Sequence, residues 1–476
     1  MLRCTAENEP LAPHAGCLCH RPEIRAVSER LARGLSRRGF MAAALASAGA
    51  APALAQSAAA RPIAFTNFRL FDGSGGALRD GLTLLVEGEA IRALATGNPA
   101  PPEGAQVIDC GGRTLMPGLI DAHWHTLFAA VPLAVLLTAD MGYVHLAAAA
   151  EAERTLMRGF TTLRDAGGPV FALKQAIDEG LATGPRIYPS GAMVTGTGGH
   201  GDFRQLHELP SPGSGASASE RTGGSAIIDG PSDMRRRVRE QLLQGASQIK
   251  LTGSGGVSTP RSPLDALTLS PAEIRAAVES AEDWGTYVLV HAYTPASILR
   301  ALDAGVRCIE HGHLMDEATA ARIAEKGAWL STQPFAADDA PRQSGPSERD
   351  RQQVVAGTDR TYELAKRHGI KTGFGTDILF STQLTPRQGL LLARMARWYS
   401  PAEALRQATS TNAELLTLSG PRNPYPRKLG VIEPEAYADL LVVDGNPLEN
   451  ISLLAEPERS LALIMKNGQL FRNRLG

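Results

Sequence analysis

Cysteine is scarce in this chain, with five in 476 residues, and three of those (Cys4, Cys17, Cys19) fall within the first twenty positions. So few thiols exclude a disulfide framework for a protein of this size. An excess of either charge is also missing: 48 Lys and Arg stand against 49 Asp and Glu, a formal charge of −1, with no concentrated basic tract. That removes the electrostatic footprint of a nucleic-acid binder and leaves small molecules as the expected partners. The apolar run near the N-terminus, about fifteen residues and rich in alanine, is too short to span a bilayer stably. What the chain does have is 43% apolar and 20% charged residues with a mean hydropathy of −0.11, a globular composition that excludes wholesale disorder. At about 150 residues per domain the length allows three domains, although barrels of about 250 residues or more count as one.

That N-terminal run belongs to a recognisable segment. Ser36-Arg37-Arg38-Gly39-Phe40-Met41, then Ala, Leu, Ser and Gly, then Ala53-Leu54-Ala55 before Gln56, reads as a twin-arginine export signal with a small-residue cleavage site. Residues 1–55 are thus expected to be removed, with the twin-arginine translocase as the partner during export and a periplasmic or secreted product without a stable membrane anchor. No Cys follows the site, so lipoprotein attachment is not expected. The mature chain would carry a charge of −4 and keep only Cys110 and Cys308. This route exports folded proteins, often with a cofactor installed, which agrees with a metal or prosthetic group.

From 61 to about 115 apolar and polar residues alternate between glycine-rich turns, and short antiparallel strands are expected at 63–71, 82–87, 90–95 and 106–109. The style returns at 430–432, 438–444 and 463–468, so the flanks 56–117 and 425–476 are expected to make one small β-sandwich. Between them, over 118–424, short apolar runs alternate with helical stretches, the α/β pattern of repeated βα units. Strands are expected at 118–123, 161–164, 186–190, 248–252, 287–291, 307–310, 329–332 and 371–375, and eight is the number that closes a (β/α)8 TIM barrel. Two stretches break the rhythm, 209–230 rich in Ser and Gly and 336–353 rich in Asp, Arg, Gln and Pro; both read as long loops.

The chemistry gathers at the strand ends. The first barrel strand ends in His123-Trp124-His125, and strand alternation sends both imidazoles to one side, where they can share a metal. The fourth holds Lys250 between Ile249 and Leu251, where burial disfavours the ammonium; a neutral amine there can take up carbon dioxide as a carbamate that bridges two cations, or the side chain snorkels to the barrel mouth. The fifth ends in His291, the sixth in His311 and the eighth in Asp377. Any one alone fits an ordinary core or rim residue. Together they sit where barrels keep catalytic groups.

Met116-Pro117-Gly118-Leu119-Ile120-Asp121-Ala122-His123-Trp124-His125, followed by Lys250, His291, His311 and Asp377, resembles the amidohydrolase superfamily with its binuclear, carbamate-bridged centre. The likeness runs from about Arg61 to Phe471. Thr161-Thr162-Leu163-Arg164-Asp165-Ala166-Gly167-Gly168, Gly198-Gly199-His200-Gly201-Asp202 and Ser254-Gly255-Gly256-Val257 are similar to the metal-dependent carboxypeptidase and Xaa-Pro dipeptidase branch. That branch is often labelled imidazolonepropionase-like, and ochratoxin-hydrolysing amidases are similar to it. One departure is Trp124, where a smaller residue is commoner, and its bulk is expected to narrow the substrate pocket.

The resemblance implies that His123, His125 and Asp377 hold one metal and His291 and His311 the other, with carboxylated Lys250 between them. The two divalent ions are expected to be zinc, although this donor set also accepts cobalt, manganese or iron. Asp377 is then the proton shuttle and His200 a donor to the substrate carbonyl. Tyr293 is expected to bind a substrate carboxylate, with Arg261 a weaker candidate and His313 a support for its neighbours. His145, His207 and His368 read as ordinary helix or loop residues. The implied activity is hydrolysis of the amide before a C-terminal amino acid, in dipeptides or N-acyl amino acids, with ochratoxin-like amides included. A cyclic-amide (imidazolone-type) hydrolase is the alternative, disfavoured by Lys250; a non-catalytic scaffold is disfavoured because all six metal positions are filled. Whether the chain forms a homo-oligomer is left open.

Overall fold

Four strands open the folded part of the computed structural model: β1 (Ile63–Leu70), β2 (Leu82–Glu87), β3 (Ala90–Thr96) and β4 (Gln106–Pro117). The structure describes residues 61–475 apart from 98, 210–214, 260 and 340–345, so the expected export segment lies outside the described residues. None of the described helices is long and apolar enough to cross a membrane.

The chain then alternates strand and helix. The strands are β5 (Leu119–Trp124), β6 (Phe160–Asp165), β7 (Arg186–Pro189), β8 (Met193–Gly196), β9 (Ser225–Ile228) and β10 (Ile249–Thr252), followed by β11 (Val288–Ala292), β12 (Cys308–His311), β13 (Trp329–Thr332) and β14 (Thr372–Phe374). All their pairings are parallel, in two sheets of order β5-β6-β7 and β14-β13-β12-β11-β10-β8-β9. The sheets meet at a bend in one stretch of chain. β7 pairs with β6, Gly191 turns with φ +75°, and β8 pairs with β10. At the other end β14 lies against β5: the Asp377 amide donates to His123 O at 2.7 Å, and Asn412 Nδ2 donates to both Ile120 O and Phe374 O.

Each of the eight expected strands has its counterpart, because runs buried on both faces stay apolar throughout. Two differences stand out. The 209–230 stretch was expected as a loop, yet it contains β9, whose four residues take their register from β8. The 336–353 stretch was also expected as a loop, yet it runs into the helix Pro346–Arg367. That helix buries Val354, Thr358, Thr361 and Ala365, a helical stripe with a polar face that resembles a loop in composition. The crossover helices start on strong signals. Ser270 caps Pro271–Asp283 in a reciprocal box with Glu273, and that helix buries Ile274, Ala277, Val278 and Ala281 against the strands.

Strands β15 (Leu440–Val443), β16 (Leu461–Lys466) and β17 (Gln469–Asn473) return to the first sheet, whose order is β17-β16-β15-β4-β1-β2-β3. It is mixed rather than wholly antiparallel, since β1 and β4 run parallel. The two flanks do join, through β4 and β15, but they hydrogen-bond as one continuous sheet. That sheet curls on itself: Ile91 from β3 shares a core with Leu115, Leu440 and Met465. Where its turns meet, a Cβ on Gly468 would lie 1.8 Å from Gly88 O, so only glycine fits. Each fully buried large apolar side chain of that core, such as Ile91 or Leu440, contributes roughly 1.5–3 kcal/mol.

Candidate active site

His123 and His311 lie at the ends of two different strands and Asp377 lies three residues past a third, and the rings form a row. Centroids are 5.3 Å apart from His125 to His123, 5.0 Å from His123 to His311 and 4.4 Å from His311 to His291. Asp377 Oδ1 lies 3.2 Å from His123 Nε2 and 3.1 Å from His125 Nε2. Ligand-type atoms of these three residues fall within 4.8 Å of one another, a spacing that one divalent ion fits. Lys250 Nζ is 3.5 Å from His123 Nε2. His311 and Asp377 both adopt positive φ, +76° and +51°, a strain of about 1–3 kcal/mol each that functional sites commonly hold.

Each imidazole has one nitrogen engaged by an oxygen that can only accept. His123 Nδ1 donates to Glu310 Oε2 at 2.7 Å, His125 Nδ1 to Gly167 O at 2.9 Å, His311 Nδ1 to Gln333 Oε1 at 2.7 Å and His291 Nε2 to Gly255 O at 2.9 Å. The opposite nitrogens of His291 and His311 are left with their lone pairs, the form in which imidazole binds a metal, and those of His123 and His125 converge on Asp377 Oδ1. His311 Nε2 is buried and has no hydrogen-bond partner among the described residues. Burial, with their histidine neighbours and Lys250, holds His291 and His311 well below the usual imidazole range. His123 differs: burial and Lys250 push it down, but Asp377 and Glu310 outweigh them and raise it, a local demand for positive charge that a divalent cation meets. Burial lowers Lys250, and although burial alone would raise Asp377, His123 and His125 hold it well below the carboxylate range. These residues fit a metal centre.

A cavity of about 390 Å³ opens over the row, lined by His125, His200, Lys250, His291, Tyr293 and Asp377 among others. His200 stacks on His291 with centroids 4.3 Å apart at 16°, and burial pushes it down to about 3, so it is neutral at pH 7. Tyr293 stacks on His311 at 4.9 Å and faces the same space. His313 Nε2 donates to Gln333 O at 3.0 Å, and Gln333 in turn holds His311, so His313 steadies that neighbour as expected. Arg261 is exposed and does not line the cavity. His145 bonds its own helix, His207 is exposed and His368 pairs with Glu317.

Trp124 corrects an expectation. Alternation along β5 turns it away from His123 and His125 into the core with Met116 and Leu392, so it does not narrow the cavity. Glu310 escaped the sequence reading. It is wholly buried and held by Arg164 Nη2 at 2.7 Å, and Arg164 and His123 overcome burial to keep it ionised. An acid between Ile309 and His311 is as odd as a lysine between Ile249 and Leu251, and that signal was available.

A cavity at the C-terminal ends of parallel strands, with a buried carboxylate and a row of four imidazoles, defines a hydrolase of TIM-barrel-like α/β fold whose residues suit a metal ion. The chain belongs to the Amidohydrolase family, whose profile matches residues 114–471. It is 29% identical to ochratoxinase of Aspergillus niger over 420 residues, 85% of each chain. Among solved structures, a prolidase complexed with N-methylphosphonate-L-proline is 36% identical with a TM-score of 0.79, over 87% of this chain and 100% of that one. A Xaa-Pro dipeptidase with methionine bound in its active site is 27% identical with a TM-score of 0.74, again over 87% and 100%. This chain is accordingly a hydrolase acting on C–N bonds of small amide or peptide substrates.

Proposed function

We propose that the enzyme hydrolyses the amide bond before a C-terminal amino acid, in dipeptides or N-acyl amino acids, at a centre of two divalent ions, zinc by preference, inside a closed (β/α)8 barrel. The observation that carries the reading is the four-histidine row, each ring anchored through one nitrogen by an acceptor oxygen, beside buried Lys250 and ionised Asp377. His123, His125 and Asp377 would hold one ion, His291 and His311 the other, with Lys250 as its carbamate between them. When bound, such ions polarise the scissile carbonyl and make water nucleophilic near neutral pH.

The chain's own residues do the rest. Asp377 is a base at pH 7, so it accepts a proton from the attacking water and returns it to the departing amine nitrogen, the transfer without which amide cleavage stalls. His200, neutral over the row, donates to the carbonyl oxygen as negative charge develops there. Tyr293 orients the substrate by its α-carboxylate.

The test is a panel of dipeptides and N-acyl amino acids offered with free and blocked termini. A site built for the carboxylate penalises its loss, so amidation or methyl esterification lowers kcat/KM about 30- to 1,000-fold, roughly 2–4 kcal/mol. Tyr293→Phe narrows that gap. Equal rates on free and blocked substrates overturn the assignment and return the chain to a plain or cyclic-amide hydrolase.

A further inference from the structure

The cavity has two apolar flanks, one at each end of the histidine row. Beside His291 and His311, Tyr293 packs with Val354, Leu264 and Phe335. Beside His125 stands a wall of three phenylalanines. Phe128 lies parallel to the His125 ring at 5.8 Å, Phe380 is 5.4 Å from Phe128, and Phe203 meets Phe380 edge to face at 5.9 Å and 89°. Phe203 and Phe380 both face the cavity.

Phe380 is held there against its own backbone preference. Its φ is +57°, a region that bulky L residues seldom occupy, and its amide is pinned by a 2.7 Å hydrogen bond to Phe128 O. Strain of this order persists only where the surroundings impose it. What it achieves is a ring on the cavity wall at right angles to Phe203, three residues beyond Asp377. Among the described residues the wall presents no uncompensated charge: the two charged residues that line the outer cavity, Asp339 and Arg351, are paired with Arg394 and Glu348.

We propose that Phe203 and Phe380, in contact edge to face, form the aromatic wall of a slot for a flat aromatic acyl group, which makes aromatic N-acyl amino acids and dipeptides with an aromatic N-terminal residue the preferred substrates. This rests on the reading that Tyr293 takes the C-terminal side. An amide laid along the row with its carboxylate at the Tyr293 end directs its acyl group to the phenylalanine end. An edge and a face at right angles suit an aromatic ring better than an alkyl chain, because ring quadrupoles favour both offset and edge-on contacts.

The experiment compares N-(2-naphthoyl) and N-acetyl derivatives of one amino acid on the metal-loaded enzyme. The naphthoyl compound is expected to have the higher kcat/KM by about 10- to 100-fold, and Phe380→Ala and Phe203→Ala each to collapse that ratio at least several-fold, with Phe380→Leu intermediate. A ratio near one in the wild type overturns the proposal, as does an equal fractional loss on both substrates. In parallel, calorimetric titration with naphthalene-2-carboxylate reads the slot without turnover. Binding weakened about tenfold in both alanine variants supports it, and unchanged binding overturns it. Failure of both substrates to react, with naphthoate bound and weakened as expected, condemns the proposed reaction and not the slot.

Discussion

Lys250 has little reason to lie inside β10 as an ammonium. It is buried, burial lowers its proton affinity, and among the described residues its hydrogen-bond contact is a histidine nitrogen 3.5 Å away. A neutral amine among metal-ready imidazoles is the state from which a carbamate forms. His200 depends just as closely on a neighbour. A Cβ on Gly256 would lie 2.5 Å from His200 Nδ1, and His200 is already stacked on His291, so the ring cannot yield without leaving its place over the row. Gly256→Ala is therefore expected to lower kcat/KM about 10- to 1,000-fold while bound metal, measured by elemental analysis, is unchanged. Full activity in this variant would remove His200 from the mechanism.

Among the elements, β16 makes a prediction through Lys466, whose ammonium donates to Gly184 O at 2.6 Å next to Arg186 and Asp439. Burial, helped by Arg186, pushes Lys466 from 10.5 down to about 8. Between those pH values the unfolded chain binds the extra proton, so stability rises with pH across the window, by at most about 3 kcal/mol. The urea midpoint of the wild type should climb from pH 8 to pH 10 relative to Lys466→Met, and parallel curves would show that Lys466 titrates normally.

The metal-type residues were legible because each lies at or near the end of a short apolar run, where chemistry that interrupts hydrophobicity is conspicuous. The eight strands were legible for the same reason. β9 was not, since four residues in a Ser- and Gly-rich setting become a strand only by pairing with β8. Nor was the parallel β1–β4 pairing, which is set by chain path and not by alternation. The Phe128, Phe203 and Phe380 wall joins three loops far apart in sequence, and no local pattern announces it.

For the whole molecule, the parallel strands converge their C-terminal ends on one cavity and buried ion pairs hold what lies beneath it. Arg164 links Ala122 O, Tyr287, Cys308 and Glu310, and so ties four strands or their flanks together below His123. The curled sheet is fastened to β7 by Arg186, which makes two bonds to Asp439. The proposed chemistry requires a binuclear centre to which Lys250 contributes. Elemental analysis of metal-loaded wild type and Lys250→Ala, with circular dichroism to confirm a preserved fold, tests it directly. About two ions per chain are expected in the wild type and a loss of most bound metal in the variant; two ions retained in Lys250→Ala would contradict a binuclear centre held through Lys250.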